Sequence, residues 1–205
     1  MSVISKIRAA DFVVWLDTVQ YTKGGFTNRN RLPNGSWLTV PLLKHQTFRR
    51  INAVQIGSPT KTNWREALCQ QIRMHWGESE IVEDVCDEIE RPRGLLVGLN
   101  FALLEIVMRE YCGFVKQERQ STLDAGSAVV AESEDPEELL PISDRLAMMV
   151  AELGGDIYLS GQSGLNYLNE EPFHERGIEV TYWEHSGQNV CILDTLSRVK
   201  EAVTP

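Results

Sequence analysis

Phe12-Val13-Val14-Trp15-Leu16 is an unbroken apolar run of strand-favouring residues that stops at a single acid, Asp17. A run that is apolar at every position predicts a strand covered on both faces, as in a sheet packed between helices. The stretch after it does not read as a hairpin turn. Residues 17–31 run Asp-Thr-Val-Gln-Tyr-Thr-Lys-Gly-Gly-Phe-Thr-Asn-Arg-Asn-Arg, and Trp37-Leu38-Thr39-Val40-Pro41 then resumes strand character. In open α/β sheets, ligands bind beyond the carboxyl ends of strands. This loop of amides, glycines and cations is therefore the first candidate site.

Downstream, strand and helix patterns alternate. Strands are predicted over Trp37–Leu43 and over the alternating segment Ile51–Ile56. A helix starts near Asn63, which forms a capping-box pattern with Glu66, and buries Trp64, Leu68, Ile72 and Trp76 at four-residue spacing before Gly77 ends it. An acidic helix follows over Ile81–Ile89. The segment Gly94–Tyr111 is apolar around most of its circumference, so Asn100 in its stripe needs a hydrogen-bond partner. A strand at Phe114–Gln117, a helix at Ile142–Leu153, a strand at Asp156–Leu159, a short helix at Pro172–Arg176, a strand at Ile178–Trp183 and a last helix at Ile192–Val203 complete the pattern. Together they predict one α/β domain over residues 1–205, with a layered, mainly parallel sheet and flanking helices. Residues 121–140, rich in glycine, serine and acids, offer no apolar face and are expected to form a mobile acidic excursion.

The formal charge of -9 and the pI near 5.0 argue against unspecific wrapping of duplex nucleic acid or an anionic membrane. Stable nucleic-acid binding is not expected on that ground. No apolar run approaches the ~20 residues of a membrane span, and the first residues lack a secretory signal, so a cytoplasmic location is expected. Cys69, Cys86, Cys112 and Cys191 lie far apart without zinc-ligand spacing and read as reduced and mostly buried. No Walker loop, nucleophile elbow, His-Glu-x-x-His or dinucleotide fingerprint occurs, and no cofactor is assigned.

In the first loop, Asp17 can serve as a general base or an orienting acceptor, while Gln20, Asn28 and Asn30 can read polar ligand edges. Lys23, Arg29 and Arg31 suit phosphate or carboxylate, and Gly24-Gly25 permits close backbone approach. Taken singly, each has a simpler reading: Asp17 caps a turn, Asn30 satisfies loop backbone, and an arginine is a solvated cation. Taken together they favour a binding site. A second loop, Ser160-Gly161-Gln162-Ser163-Gly164, can present backbone N–H groups to an oxyanion, with Tyr167 reaching the same space. An ordinary glycine-serine turn is the simpler reading there. His185 suits acid-base chemistry but reads as an exposed loop residue, and His45, His75 and His174 show no partner in the sequence.

At these residues the chain resembles the WbqC-like family, associated with gene clusters for O-antigen and other surface polysaccharides. The resemblance rests on Asp17-Thr18-Val19-Gln20-Tyr21 with Lys23, Asn28-Arg29-Asn30 and Trp37-Leu38-Thr39-Val40-Pro41. It continues through Ile51–Ile56, Trp64-Arg65, Asn100, Tyr158-Leu159-Ser160-Gly161, Tyr167-Leu168 and Gly177-Ile178. It implies a cytoplasmic enzyme, or enzyme-associated protein, that helps decorate a nucleotide-linked amino sugar; together with the acid and cations of the first loop, it makes acyl or aminoacyl transfer to the amine the leading expectation. Asp17 and Ser160 are then the catalytic candidates, and Gln20, Lys23, Asn28, Arg29, Asn30, Arg31, Gly161 and Tyr167 bind substrate. Three departures stand out. The chain begins after the family's usual first strand and its Gln-Pro and Leu-Pro-Trp loop, Ala67 and Leu68 replace a basic-histidine pair, and the closing segment is shortened to His185-Ser186-Gly187-Gln188. These support a second reading, a non-catalytic binding or scaffold protein; a third and weaker one, a nucleotide- or nucleobase-modifying protein, has the same cation loop hold phosphate.

Overall fold

The computed structural model describes residues 2–32, 34–57, 63–113, 115–125 and 141–184. In chain order its elements are α1 (Ser2–Arg8), β1 (Phe12–Trp15), β2 (Arg29–Arg31), β3 (Trp37–Thr39), α2 (Trp64–Trp76), α3 (Glu80–Glu90), α4 (Leu96–Val107), β4 (Lys116–Arg119), α5 (Ile142–Glu152), β5 (Ile157–Gly161), α6 (Glu171–His174) and β6 (Glu179–Trp183). They fall into two compact units. Val19–Phe114 carries the first, and Ser2–Thr18 with Val115–Gly187 the second.

In the first unit, α2, α3 and α4 enclose the main core. Leu68, Ile72, Ile81, Val82, Val85, Cys86, Ile89, Leu99 and Ile106 are buried together, with Trp64 and Trp76 packed at the margin. The predicted α2 stripe is thus the observed one. Asn63 precedes α2, and its amide donates to Glu66 Oε2 at 3.3 Å. Across the helices, Arg73 grips Glu83 with two bonds of 3.0 and 2.6 Å. Asn100 finds the partner that its place in an apolar helix demands, donating to the Thr27 carbonyl at 2.9 Å and tying α4 to the first loop.

Two strand expectations change in this unit. Trp37–Leu43 is a strand only over Trp37–Thr39, paired antiparallel with β2. Pro41 has no N–H to continue the ladder, and Leu42 makes just an isolated bridge with Ile56. Ile51–Ala53 winds into a 3-10 turn rather than a strand. Its alternation survives because Val54 and Leu96 are fully buried beside Tyr21, Ile51 and Ile56.

The second unit holds two parallel pairs, β1 with β4 and β5 with β6. Val14 from β1, Tyr158 from β5 and Val180 from β6 pack with Leu123, Leu146, Met149, Phe173 and Ile178. All of Phe12–Trp15 is half-buried and Leu16 is exposed, so β1 is less covered than its apolar run predicts. The start of the expected acidic excursion is folded. Leu123 is buried, and the N–H groups of Asp124 and Ala125 donate to the Glu152 carboxylate at 2.8 and 2.7 Å. Residues 126–140, His185, Cys191 and the predicted last helix lie outside the described residues. Mixed helix and strand with parallel pairing makes this an α/β protein. In place of one continuous sheet, the described strands form three two-stranded ladders, two parallel and one antiparallel.

Candidate functional site

In the first unit the loop is built around Tyr21, which is 5% exposed. Its N–H donates to the Arg49 carbonyl at 2.7 Å and its hydroxyl to Asn28 Oδ1 at 2.9 Å. Asn28 in turn donates through Nδ2 to the Val40 carbonyl at 2.9 Å. Its side chain is therefore committed to holding the loop. Burial raises the pKa of Tyr21, with the Arg29 charge opposing that rise.

Arg29 and Arg31 alternate with Asn30 along β2, and Arg31 lies opposite Trp37 in register. Side chains two apart share a face, which puts both guanidiniums beside the indole, Arg29 at 4.0 Å and Arg31 at 5.7 Å from its centroid. Such contacts contribute about 0.5–1 kcal/mol at exposed sites. Arg29 also donates through Nε to Gly25 O at 3.1 Å and through Nη2 to Gly24 O. Gly24, at φ +92°, adopts backbone that other residues rarely reach. Arg31 donates through Nε to Gly35 O at 3.2 Å. Phe26, 71% exposed, packs against Trp37 at 5.6 Å and 48°. The remaining guanidinium N–H groups thus sit beside an exposed aromatic pair. Lys23, Gln20 and Asn30 are exposed, and Asn30 Oδ1 accepts the Arg31 N–H at 2.8 Å.

In the second unit Asp17 is 3% exposed, and both its oxygens are engaged by one residue. Oδ1 accepts the Ser121 N–H at 2.9 Å and Oδ2 accepts the Ser121 hydroxyl at 2.6 Å. Beside this link in sequence, Thr18 Oγ1 and Gln120 Oε1 are buried without a hydrogen-bond partner. Ser160 is also buried, and its hydroxyl donates to Gly161 O at 3.1 Å. A Cβ at Gly164 would lie 2.2 Å from Ser160 Oγ and 2.8 Å from Leu168 Cδ1, so glycine is required for this turn to close over the serine. Tyr167 is exposed. Burial, reinforced by Tyr167 and Tyr182, pushes the Tyr158 hydroxyl up to about 12. The Tyr182 hydroxyl donates to Glu170 at 2.7 Å, which raises its pKa.

The predicted residues thus form two sets. Gln20, Lys23, Asn28, Arg29, Asn30 and Arg31 belong to the first unit, and Asp17, Ser160, Gly161 and Tyr167 to the second. Among the described residues no cluster of His, Cys, Asp or Glu is suited to a metal. A cavity of about 460 Å³ opens along α2, lined by Asn63, Arg65, Glu66, Gln70, Arg73 and Glu90, none of them predicted. Trp37 and Phe26 are the site residues that sequence reasoning missed. The period-two spacing of Arg29 and Arg31 marks their shared face, but that Trp37 joins it follows only from the pairing of β2 with β3.

These features define an α/β protein that presents paired guanidiniums against exposed aromatic rings. A model of the WbqC-like protein family matches residues 3–192, and the chain belongs to that family. It is similar to an uncharacterized protein of Mycobacterium tuberculosis, 26% identical over 186 residues that cover 86% of this chain and 73% of the relative. No solved structure matches it. Among the described residues no helix is long and apolar enough to cross a membrane.

Proposed function

We propose that this protein binds a nucleotide-linked amino sugar and serves acyl or aminoacyl transfer to the sugar amine, in the cytoplasm, during surface-polysaccharide biosynthesis. The observation that carries this reading is the Arg29–Trp37–Arg31 face with Phe26 at its edge. Guanidiniums suit the diphosphate of such a ligand, and the rings suit its base or the apolar face of its sugar. In the transfer, the amine attacks the activated carbonyl, the amine proton leaves to a base, and the carrier departs. Asp17, whose two oxygens are both engaged by Ser121, is not assigned the role of that base. Calorimetric titration with a nucleoside-diphosphate amino sugar tests the reading. Saturable binding that weakens at least ~10-fold in Arg29→Ala or Arg31→Ala supports it, and unchanged affinity in both variants overturns it.

A second reading, a non-catalytic binding or scaffold protein, is favoured by the burial and internal bonding of both catalytic candidates, Asp17 and Ser160. Transfer turnover by the 205-residue chain excludes it. The weaker reading, nucleotide or nucleobase modification, uses the same arginine face for phosphate. Its test is whether the neighbouring genes handle nucleic acid, which supports it, or polysaccharide, which argues against it.

A further inference from the structure

The first unit contains a second exposed aromatic that nucleotide-sugar binding does not use. Residues 44–50 run Lys-His-Gln-Thr-Phe-Arg-Arg, and within them His45 (φ +60°) and Phe48 (φ +74°) both adopt left-handed backbone. Bulky residues avoid that region unless their surroundings hold them there. Gln46 does so here. It is 5% exposed, its Oε1 accepts the Gln55 N–H at 2.9 Å, its Nε2 donates to Lys44 O at 3.1 Å, and its carbonyl accepts the Arg49 N–H at 3.2 Å.

This pinned loop leaves the Phe48 ring 81% exposed, with Lys44, His45, Arg49 and Arg50 exposed around it in the chain. It is also stitched to the first loop. Arg49 O accepts the Tyr21 N–H, Gln20 bridges Arg50, and the Tyr21 hydroxyl holds Asn28 next to Arg29. The charges here are sorted. Residues 18–50, which span both loops, hold no aspartate or glutamate but six lysines and arginines, in a chain whose net charge is -9. An ordinary solvated face mixes signs, as α2 and α3 do at Arg73 and Glu83.

We propose that these joined loops bind a single-stranded polynucleotide, with phosphates against the cations and unstacked bases on Phe48 and Phe26. Aromatic rings interleaved with cations fit single strands, whose bases are free to stack, and the number of cations exceeds what one diphosphate needs. The acidity of the whole chain opposes unspecific duplex wrapping, but it does not act in the same way on a short strand meeting this face. The inference stands independently of the transfer reading.

The test is fluorescence anisotropy of labelled oligouridine and oligothymidine of about 12 nucleotides, titrated with the full chain at about 50 and 200 mM salt. Binding that weakens with salt, falls ~5- to 150-fold in Phe48→Ala, and has a shallower salt slope in Arg49→Ala/Arg50→Ala supports the proposal. The two oligomers show whether the 2′-hydroxyl is read. Circular dichroism confirms that each variant is folded, and retained nucleotide-sugar binding by Phe48→Ala separates the Phe48 end of this surface from the Arg29–Trp37 face, with Phe26 shared by the two. No binding of either oligomer at the lower salt, duplex binding as tight as single-strand binding, or affinity unaffected by both variants overturns it.

Discussion

Asp17 and Ser121 are joined twice, carboxylate to backbone N–H and carboxylate to hydroxyl, across 104 positions of chain. The pair closes the ends of β1 and β4, two residues beyond the Trp15–Arg119 register. Asp17→Ala should therefore destabilise the protein by about 2–3 kcal/mol, since charge-assisted hydrogen bonds contribute about 1.5–3 kcal/mol and the half-buried Ser121 groups lose this acceptor. Ser121→Ala should cost less, and the double variant less than the sum. Urea unfolding measures all three. A role confined to chemistry would leave the midpoint of Asp17→Ala unmoved.

Gly164→Ala should destabilise by about 1–3 kcal/mol through overpacking, because its new Cβ would overlap Ser160 Oγ. Adding Ser160→Ala removes that hydroxyl and should recover part of the loss. Thermal melting of the single and double variants reads this coupling directly.

Arg29→Ala should lower the melting temperature more than Arg31→Ala does. Arg29 holds two turn carbonyls and lies at 4.0 Å from the Trp37 centroid, whereas Arg31 holds one carbonyl and lies at 5.7 Å. Equal melting temperatures would assign no holding role to the Gly24-Gly25 contacts.

Tyr158 makes stability fall at alkaline pH. Its hydroxyl is held neutral in the folded state up to about 12, while an unfolded tyrosine ionises near ~10. Between those values the unfolded chain loses a proton that the native state retains, so the contribution is complete below the lower value and is lost as pH rises towards the upper one. Tyr158→Phe should flatten that decline in urea midpoints. An unchanged pH profile would remove Tyr158 as its source.

Thiol reactivity should separate the described cysteines. Cys69 and Cys86 are fully buried, and burial pushes both thiols up, whereas Cys112 is half-buried. A disulfide reagent should modify Cys112 first, with Cys69 and Cys86 following only on unfolding. Mass mapping of the modified peptides checks the order.

Local chemistry explains which features the sequence conveyed. The α2 stripe and the partner needed by Asn100 follow from spacing and burial within a few turns. The strand beyond Thr39 did not form, because Pro41 interrupts a ladder that the apolar pattern alone continues. Asp17 looks the same in sequence whether it awaits a substrate or holds Ser121, since its partner comes from a distant strand end. Trp37 read as one apolar strand residue among several. Its place between Arg29, Arg31 and Phe26 depends on the register of β2 against β3, which composition does not specify.

The most direct test of the arginine-aromatic face is the intrinsic fluorescence of wild type and Trp37→Phe during titration with a nucleoside-diphosphate amino sugar. Ligand seated against Trp37 predicts a saturable emission change in wild type that is absent from Trp37→Phe. The same saturable change in both proteins would contradict it.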